Sequence, residues 1–327
     1  MPIISYIEAV TSAIKEEMER DESVFVLGED VGVRGGVFRA TNGLYEQFGE
    51  QRVIDTPLAE SAIAGVGIGA AMYGMRPIAE MQFADFIMPA VNQIVSEAAK
   101  IRYRSNNDWH CPLTIRAPYG GGVHGALYHS QSVEAMFANI PGLKIVMPST
   151  PYDVKGLLKS AIRSDDPVLF FEHKRMYRLI KGEVPVEDYT LPIGKADIKR
   201  EGEDITVITY GLCVHFAMQA AENLAKEGYE AHILDLRTVY PLDKDAIIEA
   251  AKKTGKVLLI TEDNKEGSII SEVSAIIAEN CLFDLDAPIQ RLAGPDVPAM
   301  PYAPTMEKHF MVNPDKVETA MKELAEF

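Results

Sequence analysis

Val53-Ile54-Asp55-Thr56-Pro57-Leu58-Ala59-Glu60-Ser61-Ala62-Ile63-Ala64-Gly65-Val66-Gly67-Ile68-Gly69-Ala70-Ala71 is the stretch that decides the fold class of this 327-residue chain. A short apolar strand ends at a Thr-Pro turn. One carboxylate, Glu60, then stands at the mouth of a segment with no polar side chain from Ala62 to Ala71. Glu60, Ile63 and Gly67 follow helical spacing, so the glycines lie inside a helix, where missing Cβ atoms let a neighbour come close. Gly65-Val66-Gly67-Ile68-Gly69-Ala70 also fits the loose G-x-G-x-x-G/A pattern of dinucleotide binding. That pattern works only in a tight strand-to-helix turn, and here the strand ends about ten residues before the first glycine. A stand-alone NAD-dependent oxidoreductase is the alternative this pattern would support. Glu60 itself has two readings: a first-turn acid that complements the helix dipole, or a lone carboxylate with a chemical role.

Outward from this stretch, apolar strands alternate with helical periodicities, which implies parallel sheets covered on both faces. Ser5-Tyr6-Ile7-Glu8 is a capping box that opens a helix carrying Ile7, Val10, Ile14 and Met18. Strands are predicted at 24–28, 77–82, 113–117, 143–147 and 168–172, with helices at about 85–103 and 153–163. From Lys181 to Asp204 the pattern lapses into prolines, glycines and charges, a domain connection. A second series follows: strands at 205–210, 230–236, 257–261 and 289–292, and helices at 216–226, 243–253, 268–280 and from about Pro314. The fold class is therefore α/β with two doubly wound domains, residues 1–185 and 186–327.

Composition excludes several functions. With 32 Lys and Arg against 48 Asp and Glu, the net charge of −16 disfavours binding to nucleic acid or an anionic membrane and suits a basic partner. No apolar run reaches membrane-spanning length, and no targeting segment is visible at the N-terminus. Cys111, Cys213 and Cys281 are far apart and read as reduced thiols of a cytoplasmic protein.

Three further clusters carry candidate chemistry. Gln82-Phe83-Ala84-Asp85-Phe86 follows a strand, where open parallel sheets bind ligands; Phe86 either stacks on a flat ring or enters the core. Pro118 to Ser132 is a glycine-rich loop with His124 and His129, proton carriers near neutral pH or plain surface residues. No carboxylate or cysteine accompanies this pair at metal-ligand spacing. Arg102-Tyr103-Arg104 either pins an anion or partner, or is a solvated helix end.

Taken in order, these segments resemble the beta chain of the thiamin-diphosphate-dependent decarboxylase component of 2-oxo acid dehydrogenase complexes. The resemblance spans nearly the whole chain and continues through Pro141-Gly142-Leu143-Lys144-Ile145-Val146, Lys155-Gly156-Leu157-Leu158 and Asp235-Leu236-Arg237-Thr238. Branched-chain members are the most similar, with pyruvate and acetoin members close behind. The resemblance implies a pyrimidine-type thiamin-diphosphate-binding domain followed by a transketolase-C-terminal-like domain. It places the family's catalytic glutamate on Glu60, its ring-stacking aromatic on Phe86, pyrimidine-pocket positions on Leu58 and Gln82, and its active-site histidine on His129. A structural potassium site of relatives falls around Leu113, Thr114, Ala161 and Asp166, where mostly carbonyls would serve.

The Gly-Asp-Gly stretch and later Asn that hold magnesium and diphosphate in thiamin enzymes are not found here. The resemblance therefore implies half a site, completed by an alpha chain that holds magnesium, in a heterotetramer of two alpha and two beta chains. It implies oxidative decarboxylation of a branched-chain 2-oxo acid and acyl transfer to lipoyl groups. The lipoyl acyltransferase core would dock through its small basic binding domain on the second domain, near Asp284 and Asp286 and the C-terminal Phe327. A different reading is a non-catalytic scaffold whose acidic surface docks a larger complex.

Overall fold

Ser5 begins the first helix as its sequence predicts. Its side chain caps the N–H of Glu8, and the Glu8 carboxylate accepts the N–H of Ser5 at 2.7 Å. The computed structural model describes residues 1–327 in full. Two compact units are seen: residues 1–119 with 136–193, and residues 120–135 with 194–327.

In the first unit, strands β1 (Ile3–Ser5), β2 (Val24–Gly28), β3 (Val53–Asp55), β4 (Arg76–Glu80), β5 (Thr114–Tyr119), β6 (Lys144–Val146), β7 (Val168–His173) and β8 (Lys181–Glu183) appear in chain order. Six of them lie side by side as β6-β7-β5-β4-β2-β3, every pairing among them parallel. One rung runs through Val26, Ile78, Thr114 and Val168, all buried. Such near-continuous burial is what a parallel sheet covered on both faces requires. β1 and β8 form a separate antiparallel ribbon. From β2 the chain passes first to β3 on one side and then to β4 on the other. The order reverses there, the topological position at which open parallel sheets take ligands, at the carboxyl ends of β2 and β4.

The helix Glu60–Met72 connects β3 to β4. Its three glycines lie within the helix, which begins five residues before the first of them, so no glycine turn joins strand to helix. The dinucleotide-binding alternative has no structural basis here. Its glycines differ in surroundings. A Cβ on Gly67 would lie 3.0 Å from Leu113 Cδ1, whereas Gly65 and Gly69 face open space.

The predicted continuous helix over 85–103 is broken. Ala84–Ala90 is a 3₁₀ run containing Pro89, Gln93–Ala98 is a π-helical turn, and only Ile101–Arg104 is a terminal α turn. Pro89 lacks an N–H and crowds the preceding turn. Ala99 N bonds Ile94 O at 3.0 Å, the wider ring of the π form. The lapse at 181–204 is also not structureless, since it holds β8 and β9 (Asp197–Arg200).

The second unit adds β10 (Ile205–Thr209), β11 (Ala231–Asp235), β12 (Thr238–Tyr240), β13 (Val257–Asn264) and β14 (Gln290–Gly294). Its sheet runs β14-β13-β10-β11-β9, parallel except for β9. Two of its helices are capped locally: Asp243 accepts the N–H of Ala246, Gly255 ends that helix at φ 67°, and Asn313 accepts the N–H of Lys316. The short helix Pro304–Phe310 has no sequence periodicity to announce it.

Candidate active site

The carboxyl ends of β2, β3 and β4 converge. A Cβ on Gly28 would lie 2.8 Å from the Glu80 carbonyl, so only glycine lets the two strands meet there. Thr56 N donates to Gly28 O at 2.9 Å, and Gly32 N to Asp55 Oδ1 at 2.6 Å. These bonds fix the turn leading to Glu60, the first residue of the helix Glu60–Met72. Glu60 is only 7% exposed, and its carboxylate meets no hydrogen-bond donor or cation of this chain. A helix dipole contributes about 0.3–1 kcal/mol to such a group. Buried polar groups are as a rule hydrogen-bonded. A donor from outside the chain would complete the hydrogen bonding of this buried carboxylate.

Glu29 sits beside it at the end of β2, also buried, with Oε1 unpartnered. Burial, followed by the nearby charges of Glu60 and Asp30, pushes its carboxyl above the usual glutamate range. The Thr56 hydroxyl at the end of β3 is likewise buried without a partner. A buried acid with a raised titration beside orphaned polar atoms marks a candidate binding site. Sequence reading passed over Glu29, although an acid immediately after a buried strand was the available signal.

Gln82 follows β4 and reaches Asp30 Oδ2 from Nε2 at 3.4 Å. Phe86 is half-buried and stands at the end of an aromatic series. Its ring lies 5.4 Å from Phe83 at 70°, Phe83 lies 5.4 Å from Phe38, and Phe38 lies 5.3 Å from Tyr177. The series ends at a buried cluster in which Arg116 binds Glu172 and Glu80, each at 2.6 Å, and Tyr177 donates to Glu172 at 2.7 Å. Phe86 is thus braced by Phe83 and remains partly exposed. Leu58 is 77% exposed, and Val66 and Tyr73 also stand in solvent.

The topology thus gathers Leu58, Glu60, Gln82 and Phe86 at the carboxyl ends of β3 and β4 in the first unit. His129 belongs to the second unit, half-buried in the segment Gly120–Ala135. His124 in the same loop pairs through Nδ1 with Glu307 Oε2 at 2.5 Å. Glu307, which lies 183 residues away, has no local signal in the sequence.

Leu113, Thr114, Ala161 and Asp166 lie at the opposite, amino-terminal ends of β5 and β7. Leu113 O accepts Val168 N, and Ala161 O accepts Ser164 N. The Asp166 carboxylate binds Arg102 at 2.8 Å and Lys144 at 3.1 Å. These two cations offset the charge of the Asp166 side chain, so a potassium ion here would depend on backbone carbonyls. Arg102 and Arg104 are accounted for by Asp166 and by Glu97, the latter at 2.9 Å. No group of three or more His, Cys, Asp or Glu side chains is arranged to hold a metal ion. No helix is long and apolar enough to cross a membrane.

Comparison with known proteins agrees with this architecture. Residues 3–180 match the family "transketolase, pyrimidine binding domain", and residues 194–317 match "transketolase, C-terminal domain". The chain is 83% identical to the 2-oxoisovalerate dehydrogenase subunit beta of Bacillus subtilis over the whole of both chains. It is 48% identical to the pyruvate dehydrogenase E1 component subunit beta of the same organism, over 99% of each chain. The Staphylococcus aureus (strain Mu50) subunit of that name is 44% identical over both full lengths. A solved chain described as a split-gene transketolase, inactive beta4 tetramer, shares the fold with a TM-score of 0.80 at 21% identity. That match covers 99% of this chain and 98% of that one.

Proposed function

We propose, from the premise that this chain belongs to the family of beta subunits of thiamin-diphosphate-dependent 2-oxo acid dehydrogenases, that it serves the oxidative decarboxylation of a branched-chain 2-oxo acid. The observation that carries the substrate class is the far higher identity to the 2-oxoisovalerate relative than to the pyruvate relatives. The observation that carries the site is the buried Glu60 carboxylate, left without a donor at the strand ends of a pyrimidine-binding-type domain.

When bound, thiamin diphosphate supplies a nucleophilic carbon and an electron sink that let the 2-oxo acid lose carbon dioxide. The residues at these strand ends fit its pyrimidine half: a carboxylate lacking a donor, an amide, and a braced aromatic face. Glu60 would hold a proton at a pyrimidine ring nitrogen, the partner its burial requires. Phe86 would stack on the ring, Gln82 would orient its polar edge, and Leu58 would close over its apolar side. His129 would move a proton to the lipoyl acceptor during acyl transfer. The sequence lacks the Gly-Asp-Gly stretch and later Asn that hold magnesium and diphosphate in thiamin enzymes. We assign these to the alpha subunit, in an assembly of two alpha and two beta chains.

The open apolar residues Leu58, Val66 and Tyr73 and the uncovered Gly65 and Gly69 support an assembled enzyme over a lone chain. The three free, buried cysteines support a cytoplasmic setting. Docking of a lipoyl acyltransferase through a basic domain is assigned to the region of Asp284, Asp286 and Phe327. The scaffold reading leaves the unpartnered Glu60 without explanation.

The test is reconstitution with an alpha chain, comparing kcat/KM for 2-oxoisovalerate and pyruvate with an artificial electron acceptor. A preference for pyruvate would overturn the substrate assignment. Calorimetry on the beta chain alone should show no tight magnesium-dependent binding of thiamin diphosphate. Micromolar binding would contradict the shared site.

A further inference from the structure

The loop Gly120–Gln131 is held in a costly backbone form. Gly122, His124 and Ala126 have φ of 78°, 58° and 54°, and the latter two are not glycines. Such a non-glycine residue is strained and persists only when its surroundings over-determine it. Gly120 N closes the loop on Gln131 O at 3.0 Å. The loop also folds tightly on itself, since a Cβ on Gly125 would lie 2.7 Å from the His129 carbonyl.

The strained turn points successive donors at one buried carboxylate. Glu307 Oε1 accepts the N–H of Gly122 at 3.0 Å and of His124 at 3.1 Å, while Oε2 takes the ring Nδ1 of His124 at 2.5 Å. Backbone N–H groups converging in this way form an anion-binding nest. Here the anion is a side chain of the protein itself, buried to 2% exposure. A second carboxylate, Glu262, accepts the N–H of Gly121 at 2.6 Å. Glu307 is fixed in turn by the short helix Pro304–Phe310, whose first carbonyl partner, Ala303 O, accepts its N–H at 2.9 Å.

We propose that Glu307 is the positioning residue of the histidine loop, its carboxylate binding Gly122, His124 and the His124 ring together so that His129 is presented for proton transfer during acylation of the lipoyl group. The proposal rests on the reading of His129 given above, and goes beyond it by naming what holds the loop. It also gives His124 a role, as a ligand of Glu307 and not as the proton carrier.

Two measurements test it, on the beta chain and on the enzyme reconstituted with its alpha chain. Hydrogen–deuterium exchange of a peptide spanning residues 120–131 reads the nest directly. Glu307→Ala should strip protection from the amides of Gly122 and His124, and Glu307→Gln, which keeps an acceptor oxygen, should restore it. In the enzyme, Glu307→Ala should lower kcat for acyl transfer to a lipoyl domain by about tenfold to a hundredfold, the scale of a small misplacement of a reacting group. KM for the lipoyl domain should change little, and the loss should exceed that of decarboxylation measured with an artificial acceptor. Unchanged amide protection, or equal losses in both half-reactions without rescue by Gln, would overturn the proposal. If Glu307→Ala does not fold, His124→Ala removes one of the three bonds; a smaller loss of protection supports the nest and none overturns it. His129→Ala run alongside separates the two readings. If it leaves acyl transfer intact while Glu307→Ala impairs it, the role of His129 fails and the loop anchor stands.

Discussion

The carboxyl of Glu29 is held above the ordinary glutamate range by its own burial and then by the charge of Glu60, which follows the next strand end. Glu60→Gln removes that charge while keeping the shape. The Glu29 titration, followed by carboxyl NMR, should move toward its ordinary value. Decarboxylation in the reconstituted enzyme should fall about a hundredfold or more, the usual cost of losing an acid–base group. Circular dichroism should show an intact fold. Near-normal turnover would end the assignment of Glu60.

Stability should fall as pH rises toward mild alkalinity. Burial, then the Asp263 charge, pushes the Glu134 carboxyl from 4.5 up to about 8, and its Oε1 accepts the Tyr210 hydroxyl at 2.8 Å. Between those two values the folded chain binds more protons than the unfolded one. This stabilisation is complete below about 4.5 and is lost as pH climbs through about 8. Asp263, pushed up to about 6 mainly by burial, adds a loss of the same sign at lower pH. Glu134→Gln keeps an acceptor for Tyr210 and removes the titration, so its Tm should decline less than that of the parent between pH 6 and 8.5. Parallel slopes would show that Glu134 does not titrate there.

The glycines of the helix Glu60–Met72 should respond oppositely in isolation and in assembly. Gly65→Ala and Gly69→Ala add methyl groups in open space, and each should stabilise the isolated chain by about 0.5–1 kcal/mol through helix propensity. Gly67→Ala sets a methyl 3.0 Å from Leu113 Cδ1 and should gain less or destabilise. If another helix closes on the open face, Gly65→Leu and Gly69→Leu should weaken oligomerisation measured by analytical ultracentrifugation. An unchanged association constant would place the subunit contact elsewhere.

Docking of a basic partner should be salt-sensitive. Asp284 and Asp286 are exposed beside the bare ring of Phe283, although Lys252 lies 3.5 Å from Asp284 and offsets part of its charge. Asp286 N donates to Gly255 O, and Lys256 Nζ holds Ala325 O, each at 2.8 Å, so the C-terminus and the acids share one end of the second unit. Asp284→Lys combined with Asp286→Lys should weaken binding of the acyltransferase's small domain in surface-plasmon titrations at low salt. Decarboxylation with an artificial acceptor should be unchanged. Removing Phe327 should act in the same direction, more weakly. Unaltered affinity in both variants would move the docking surface.

The sequence by itself determined the α/β class, most of the central strands along the chain and the capping box of the first helix. Those depend on local periodicity and on neighbouring residues such as Ser5 and Glu8, whose physics is complete within one helical turn. It also placed the glycines of 65–69 inside a helix, because Glu60, Ile63 and Gly67 already carry the helical repeat. It did not foresee the break at Ala84–Ala98, where Pro89 and a π turn override an otherwise helical pattern. Only the tertiary structure decided which charges are balanced. Asp166 stands between two cations, Glu60 has no partner in the chain, and Glu29 rises beside it. Only the tertiary structure brought Glu307 to a loop 183 residues away in the chain. Burial and ion pairing depend on distances between segments remote in sequence, and a one-dimensional pattern carries no measure of those distances.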